Sequence, residues 1–538
     1  MERIPLVDRS GSRLLHDWIR GESSITSIVG APTLDDAYVH DRARGGAARS
    51  RIVELARRSM RSIEPTEAQN KQIDALANPA SVIVTTGQQV GLFGGALYTV
   101  LKIASAVEWA RVAQQQWNRP VVPVFWLEDN DHDAREAATA HLLKQDNTIE
   151  AVMAWDESDP RRPVADRTFS AAEIDNIRQA LTTFNGAFAD TERSRLEQIY
   201  TEGASWVDAF LAVLQPLLGS WGVVVIRASD VIATGMHLPL VLQDVRHPGV
   251  TAQRVASTTS HLEAAGYHGQ AQMGDFGFFL LDDDGRQRMT SSADRTVHAG
   301  SATWTMAEIE QIAQESPWRF SPGVLMRPIV QDAILPTVAC ILGPSEMAYH
   351  AQLHDAYAWF GVRRAHPVLR HTATLLDAKT ERLLSSVGRT ARFYMRPWDD
   401  ILTDVTSTLD DAGIPERNVT AEHIATFIAP WQETARSLDP SLKASAEAAA
   451  ASITKTMEAL EGKLRSALRR KHVVEIDRHK ALASSIYPMG KTQERVLSTT
   501  QWFSRIGIVD LDRLVSVVMS MTPTEHVVLG LSDVLQTE

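Results

Sequence analysis

Cysteine is almost absent from this chain: Cys340 is the one instance in 538 residues. A single thiol excludes an intramolecular disulfide and a thiolate-rich zinc centre, and its setting in the apolar run ILPTVACIL reads as a small buried hydrophobe. Long apolar runs are missing too. No stretch reaches the roughly 18 unbroken apolar residues of a membrane span, and the opening MERIPLVDRSGSRLLHDWIRG lacks the apolar core of a signal peptide. Positive charge is in deficit, with 54 Lys and Arg against 66 Asp and Glu and a formal net charge of -12, which argues against a nucleic-acid partner. These absences predict a soluble cytoplasmic protein, and 44% hydrophobic with 22% charged residues is ordinary for a globular enzyme. The length exceeds one compact core and predicts a large domain with appendages.

The stretch Ser81 to Val107 carries most information. Ser81 to Thr85 is a β-branched run; Gly87, Gly91, Gly94 and Gly95 permit tight turns; Ala96 to Val107 has apolar residues at helical spacing. A strand feeding a glycine-rich turn and a helix exposes backbone N–H groups that favour an anion. The spacing is not G-x-G-x-x-G and no Walker lysine follows, so neither nucleotide fingerprint is present. The lesser alternative is that the glycines serve close strand-to-helix packing. A second apolar strand, Pro120 to Leu127, ends at Glu128, Asp129, Asn130, Asp131, His132 and Asp133, with Glu136 beyond. Ligands of open α/β sheets bind past the carboxyl ends of strands, so the two strand ends predict two walls of one crevice.

Further along, Arg327 stands before Pro328, and Gly343-Pro344-Ser345-Glu346 has the composition of a helix start that Ser345 could cap. An arginine beside such a turn suits a carboxylate or phosphate. His350 and His354 are four apart, yet without the glutamate of a metalloprotease motif they read as surface histidines, and no metal is expected.

Helical spacing covers residues 10 to 75 and Ala171 to Leu218, a buried strand is expected over Trp221 to Asp230, and FGFFLLDDDGRQRMT predicts an antiparallel excursion about an Asp-Gly turn. Val121 to Leu143 reads as a strand-to-helix unit. This alternation predicts a doubly wound, Rossmann-like parallel sheet with inserted segments over residues 1–385. Residues 386–485 read as an α-helical coiled-coil arm and 486–538 as a return to the core. From Leu442 to Ala483 there is no proline and one glycine, enough for a helix of about 60 Å at 1.5 Å per residue. Ala446, Ala450, Ile453, Met457, Leu460, Leu464 and Ala467 step by four and three, a seam expected to pair with Leu375 to Val387 and to make a homodimer.

Four blocks, TGQQVGLFGGALYTVLK (Thr86 to Lys102), PVFWLEDNDHDAREA (Pro123 to Ala137), SPGVLMRPIVQDAILPTVACILGPSEMAYHAQL (Ser321 to Leu353) and YPMGKTQERVL (Tyr487 to Leu497), span most of the chain. In content and order they resemble the bacillithiol synthase family of cysteine ligases. One position departs from the family, which usually reads Glu-Asp-His-Asp where this chain has Asn130 to Asp133.

The resemblance implies a ligase joining L-cysteine to glucosaminyl-malate by an amide bond. It implies catalysis by His132 with Asp131 and Asp133, the imidazole acting as base near neutral pH. Substrate would be bound by Gln88, Gln89, Gly91, Phe93, Gly94 and Tyr98 on one side and by Arg327, Gly343, Glu346 and Arg370 on the other, with the two arginines on the malate carboxylates. Activation of the cysteine carboxylate would draw on ATP or another nucleotide, although the residues fix no cofactor. Two other readings stay open: a non-catalytic nucleotide-binding dimeric scaffold of the same fold, and a metal-dependent hydrolase using Asp131, His132 and Asp133.

Overall fold

The computed structural model describes residues 1–8, 11–30, 34, 36–155, 162–293, 295–409 and 417–535. Its centre is a five-stranded, all-parallel sheet of β1 (Val82–Gln89), β2 (Val121–Glu128), β3 (Val224–Arg227), β4 (Thr337–Leu342) and β5 (His366–Leu369), in the order β5-β4-β1-β2-β3. Every residue of β2 is buried, the pattern of a parallel strand covered by helices on both faces. The chain runs outward from β1 through β2 to β3, then returns to the other side of β1 for β4 and β5. The order therefore reverses between β1 and β4, and a crevice opens there beyond the carboxyl ends of the strands.

Register brings the strand ends level: Gln89 pairs with Glu128, Leu127 with Arg227, Thr86 with Ile341 and Leu342 with Leu369. Helix α1 (Tyr98–Trp117) links β1 to β2 and packs on both. Helix α2 (Trp206–Ser220) precedes β3, α3 (Arg327–Ile334) leads into β4, and α4 (Pro344–Ala351) leaves it. The expected excursion is present as strands Phe278–Asp282 and Gly285–Ser291 in a five-stranded antiparallel sheet. A smaller sheet pairs Glu525–Gly530 with Glu2–Pro5 and Thr372–Leu376.

Three expectations are corrected. After β2 the chain makes only a one-turn helix, Ala134–Ala137, before a hairpin of Thr139–Leu143 with Ile149–Met153. Asn147, at φ 64°, supplies the left-handed residue that this hairpin turn needs. Helix Leu442 to Ala483 is interrupted: α6 (Lys443–Lys471) ends at His472, whose φ of -109° and ψ of 26° are not helical, and α7 (Val473–Ile486) begins anew. The partner of α6 is α5 (Arg417–Leu438), joined to it through the short turn Pro440–Leu442. Leu375 cannot be that partner, because it is buried in the strand Thr372–Leu376.

The chain divides into two compact units, Met1–Lys379 with Lys491–Glu538, and Thr380–Gly490. Within the second unit, pairing of α5 with α6 leaves Ile453, Met457, Leu460 and Leu464 between 37% and 48% exposed, and Phe427 and Trp431 more so.

Candidate functional site

The switch point holds a cleft of about 250 Å3. Gln88, Gln89 and Tyr98 line it from the β1 side, Glu128 from β2, Gly343 and Glu346 from the start of α4, and Arg327, Arg370 and Arg495 supply cations. Seven of the thirteen residues expected from the sequence thus meet here: Gln88, Gln89, Tyr98, Arg327, Gly343, Glu346 and Arg370.

Lys102, buried on α1, reaches under the cleft. Its ammonium donates to the Gly87 carbonyl, to Gln88 Oε1 (3.2 Å) and to Glu346 Oε1 (2.8 Å). The other oxygen of Glu346 accepts from the Gly343 N–H at 2.7 Å. Gly343 is the N-cap of α4, so Ser345 lies one step inside the helix and does not cap it. Gln88 donates to the Tyr98 hydroxyl at 2.7 Å, and burial pushes that phenol up to about 12.

Glu128 is the most enclosed acid of the cleft. Burial raises its pKa, opposed by Arg327 at 3.7 Å and by the Trp126 Nε1 donor at 3.2 Å. Next to it Asp129, fully buried, accepts from the amide and hydroxyl of Ser229 and is pushed by burial up to about 7. Burial works against the charge of Arg327, but Glu128, Tyr349 and Asp131 hold its pKa above the usual value.

Asp131, His132 and Asp133 do not line the cleft. Asp131 connects to it: Gln89 Nε2 donates to Oδ2 at 2.7 Å, the His132 amide donates to Oδ1 at 2.7 Å, and Arg286 Nη1 lies 3.4 Å away. Burial would raise Asp131, yet the bond from His132 and the charges of Arg286 and Arg327 win and hold its carboxyl below the usual carboxylate range. His132 Nδ1 is 3.2 Å from Asp131. Asp133 is exposed and accepts from the Glu136 amide, capping the one-turn helix. Asn130, where the chain departs from the family pattern, is buried with its amide donating to Ser321, so the departure falls on a packing position. Among the described residues no three His, Cys, Asp or Glu side chains converge as metal ligands.

Gly91, Phe93 and Gly94 also lie off the cleft, because the turn is folded into the core. Phe93, at φ 57°, donates its amide to the Tyr200 hydroxyl and packs its ring on Phe184 and Tyr200. Gly94 has φ 77°, and a Cβ there would stand 2.9 Å from Val213 on α2. Close packing is therefore what these glycines serve. Gly94→Val should cost about 3 kcal/mol or more through strain and overpacking, read as a lower denaturation midpoint rather than as lost binding by a stable protein.

Sequence reasoning missed Lys102, Arg286, His350 and Arg495. His350 is buried and lines the cleft, and burial holds it well below the usual imidazole range. His354 belongs to the following helix, so the two histidines share no face. Cys340 is buried in β4, its thiol pushed up to about 12 by burial.

A parallel sheet with a charged cleft at its switch point defines a Rossmann-like α/β protein with a candidate ligand site there. Comparison with known proteins agrees. Residues 1–371 match the family model "Bacillithiol biosynthesis BshC, N-terminal Rossmann-like domain", and residues 373–531 match "Bacillithiol biosynthesis BshC, C-terminal coiled-coil domain". The chain belongs to the bacillithiol biosynthesis BshC family, and on that membership it is a carbon–nitrogen ligase with a role in bacillithiol biosynthesis. Relatives named "Putative cysteine ligase BshC" include one from Salinibacter ruber, 29% identical over 86% of this chain and 85% of its own length. Another, from Chlorobaculum tepidum, is 27% identical over 90% and 89%, and one from Geobacillus kaustophilus is 27% identical over 96% and 97%. No helix among the described residues is long and apolar enough to cross a membrane.

Proposed function

We propose that this enzyme, acting in the cytoplasm, joins the carboxylate of L-cysteine to the sugar amine of glucosaminyl-malate through an amide bond. The observation that carries the reading is the pairing of a buried, weakly paired carboxylate, Glu128, with arginines in one cleft at the switch point. The sugar nitrogen arrives as an ammonium and must lose a proton before it can attack. Glu128, raised by burial toward the working pH, accepts that proton; the amine then forms the carbon–nitrogen bond as the bond to the activating group on the cysteine acyl carbon breaks. Gln89, held by Asp131, which His132 and Arg286 orient in turn, fixes one wall of the cleft.

ATP or another nucleotide is the ordinary source of acyl activation. The glycine turn that would cradle its phosphates is packed on α2, and the Lys102 ammonium is held by Glu346, so the cleft lining does not form a triphosphate cradle. Deleting the gene in its host tests the reading: glucosaminyl-malate should accumulate and its cysteine adduct disappear. An unchanged thiol profile would overturn it.

The arm supports a further reading, that the enzyme is a homodimer. The stripe of Ile453, Met457, Leu460 and Leu464 stays open after α5 has packed on α6, and an apolar face of this length calls for a second helix pair. Ile453→Asp combined with Leu460→Asp should turn dimers into monomers by light scattering, because two carboxylates would be buried without partners. A wild-type chain that is monomeric at micromolar concentration would refute the dimer.

A further inference from the structure

We infer that Arg495, together with Arg327, grips the two carboxylates of the malyl group, and that Arg370 is a structural residue rather than a substrate ligand. The inference rests on the reading above for the identity of the substrate, but it is carried by how the three arginines of the cleft are committed.

Arg370 is already neutralised by a buried carboxylate. Its Nη1 donates to the His371 carbonyl at 2.9 Å, its Nη2 donates to Glu494 Oε1 at 2.7 Å, and its guanidinium lies over the Tyr98 ring, 5.6 Å from the centroid. Glu494, just as buried, neutralises it and uses its second oxygen to accept from the Ala373 amide at 2.8 Å. Arg327 differs. Its nearest carboxylate oxygen, on Glu128, is 3.7 Å away, beyond hydrogen-bond length, so its fork can still close on an anion.

Arg495 is the exposed cation of the cleft and makes neither an ion pair nor a side-chain hydrogen bond among the described residues. Its backbone is nonetheless fixed. Gln493 exchanges two hydrogen bonds with the main chain of Leu375, both 2.9 Å, and Glu494 is tied to Arg370. A free guanidinium on an anchored turn needs little further backbone ordering to hold a ligand, since little backbone freedom is left to lose on binding. Cysteine brings one carboxylate and the malyl group brings two, so a pair of uncommitted forks selects the malyl-bearing substrate.

L-malate is the probe, titrated calorimetrically into the full-length protein, with dimethyl malate as the uncharged control. Wild type should bind L-malate and not the diester. Arg495→Met should weaken L-malate binding about tenfold or more, the scale of one lost charge-assisted pair, and Arg495→Lys should recover part of it. In the ligation assay the KM for glucosaminyl-malate should rise by a similar factor while that for L-cysteine stays put. A wild type that ignores L-malate, or an Arg495→Met variant that binds it like wild type, would overturn the assignment. Failure of wild type to make the cysteine adduct would overturn the functional reading instead, leaving the malate titration to judge Arg495.

Discussion

Replacing Glu128 by glutamine should lower turnover by roughly 100-fold or more, the scale of a positioned general base, and should leave the fold intact because the amide is isosteric. The pH profile gives the sharper readout. Glu128 works as an anion, and burial places its pKa above the usual 4.5, so wild-type turnover should climb as pH rises through that raised value and fall below it. Glutamine has no such titration, so this acidic limb should vanish from the variant. His132→Ala provides the contrast, since His132 reaches the cleft only through Asp131 and Gln89. Its effect should be smaller and should leave the limb in place. If instead Glu128→Gln keeps the limb and His132→Ala removes it, the base is the imidazole.

The largest effect on stability should come from Arg370→Met. This change leaves Glu494, 2% exposed, as a buried carboxylate without its cation, a class of lesion that costs about 3–5 kcal/mol. Chemical denaturation should show it as a lower midpoint. Pairing Arg370→Met with Glu494→Leu should return part of the loss, because it removes the stranded charge along with its partner. Two single variants whose effects simply add would mean that the pair is not coupled.

Much of this architecture could be read from residue order. The β-branched run before Gly87 and the unbroken apolar run before Glu128 are adjacent parallel strands, and the Asp-Gly turn after Phe279 does reverse an antiparallel pair. The level at which reading stopped is physical. Glycine permits a turn but does not say which way the turn faces, and Gly94 is spoken for by Val213, which lies more than a hundred residues away in sequence. Lys102 looks like a solvated charge in a linear reading; only the crossing of α1 beneath Glu346 shows that it is buried. Histidine carries no mark of burial either, hence the misreading of His350 as a surface residue. The interruption at His472 has no proline or glycine to announce it; a β-branched pair, Val473-Val474, follows instead. Arg370 and Arg495 differ in role because of Glu494, whose partner is set by the docking of one strand on a turn that the sequence places far downstream.

That docking bears on the order in which the enzyme is made. Residues 491–538 belong to the same unit as Met1–Lys379, yet the ribosome delivers them only after all of Thr380–Gly490. Until Glu494 emerges, Arg370 and the amide of Ala373 have no carboxylate, and Leu375 lacks the side chain of Gln493. The cleft is therefore completed only after the arm has been synthesised, by contacts of long sequence separation. A chain that ends within the arm would hold the residues of β1, β2 and β4 but would leave Arg370 without its carboxylate.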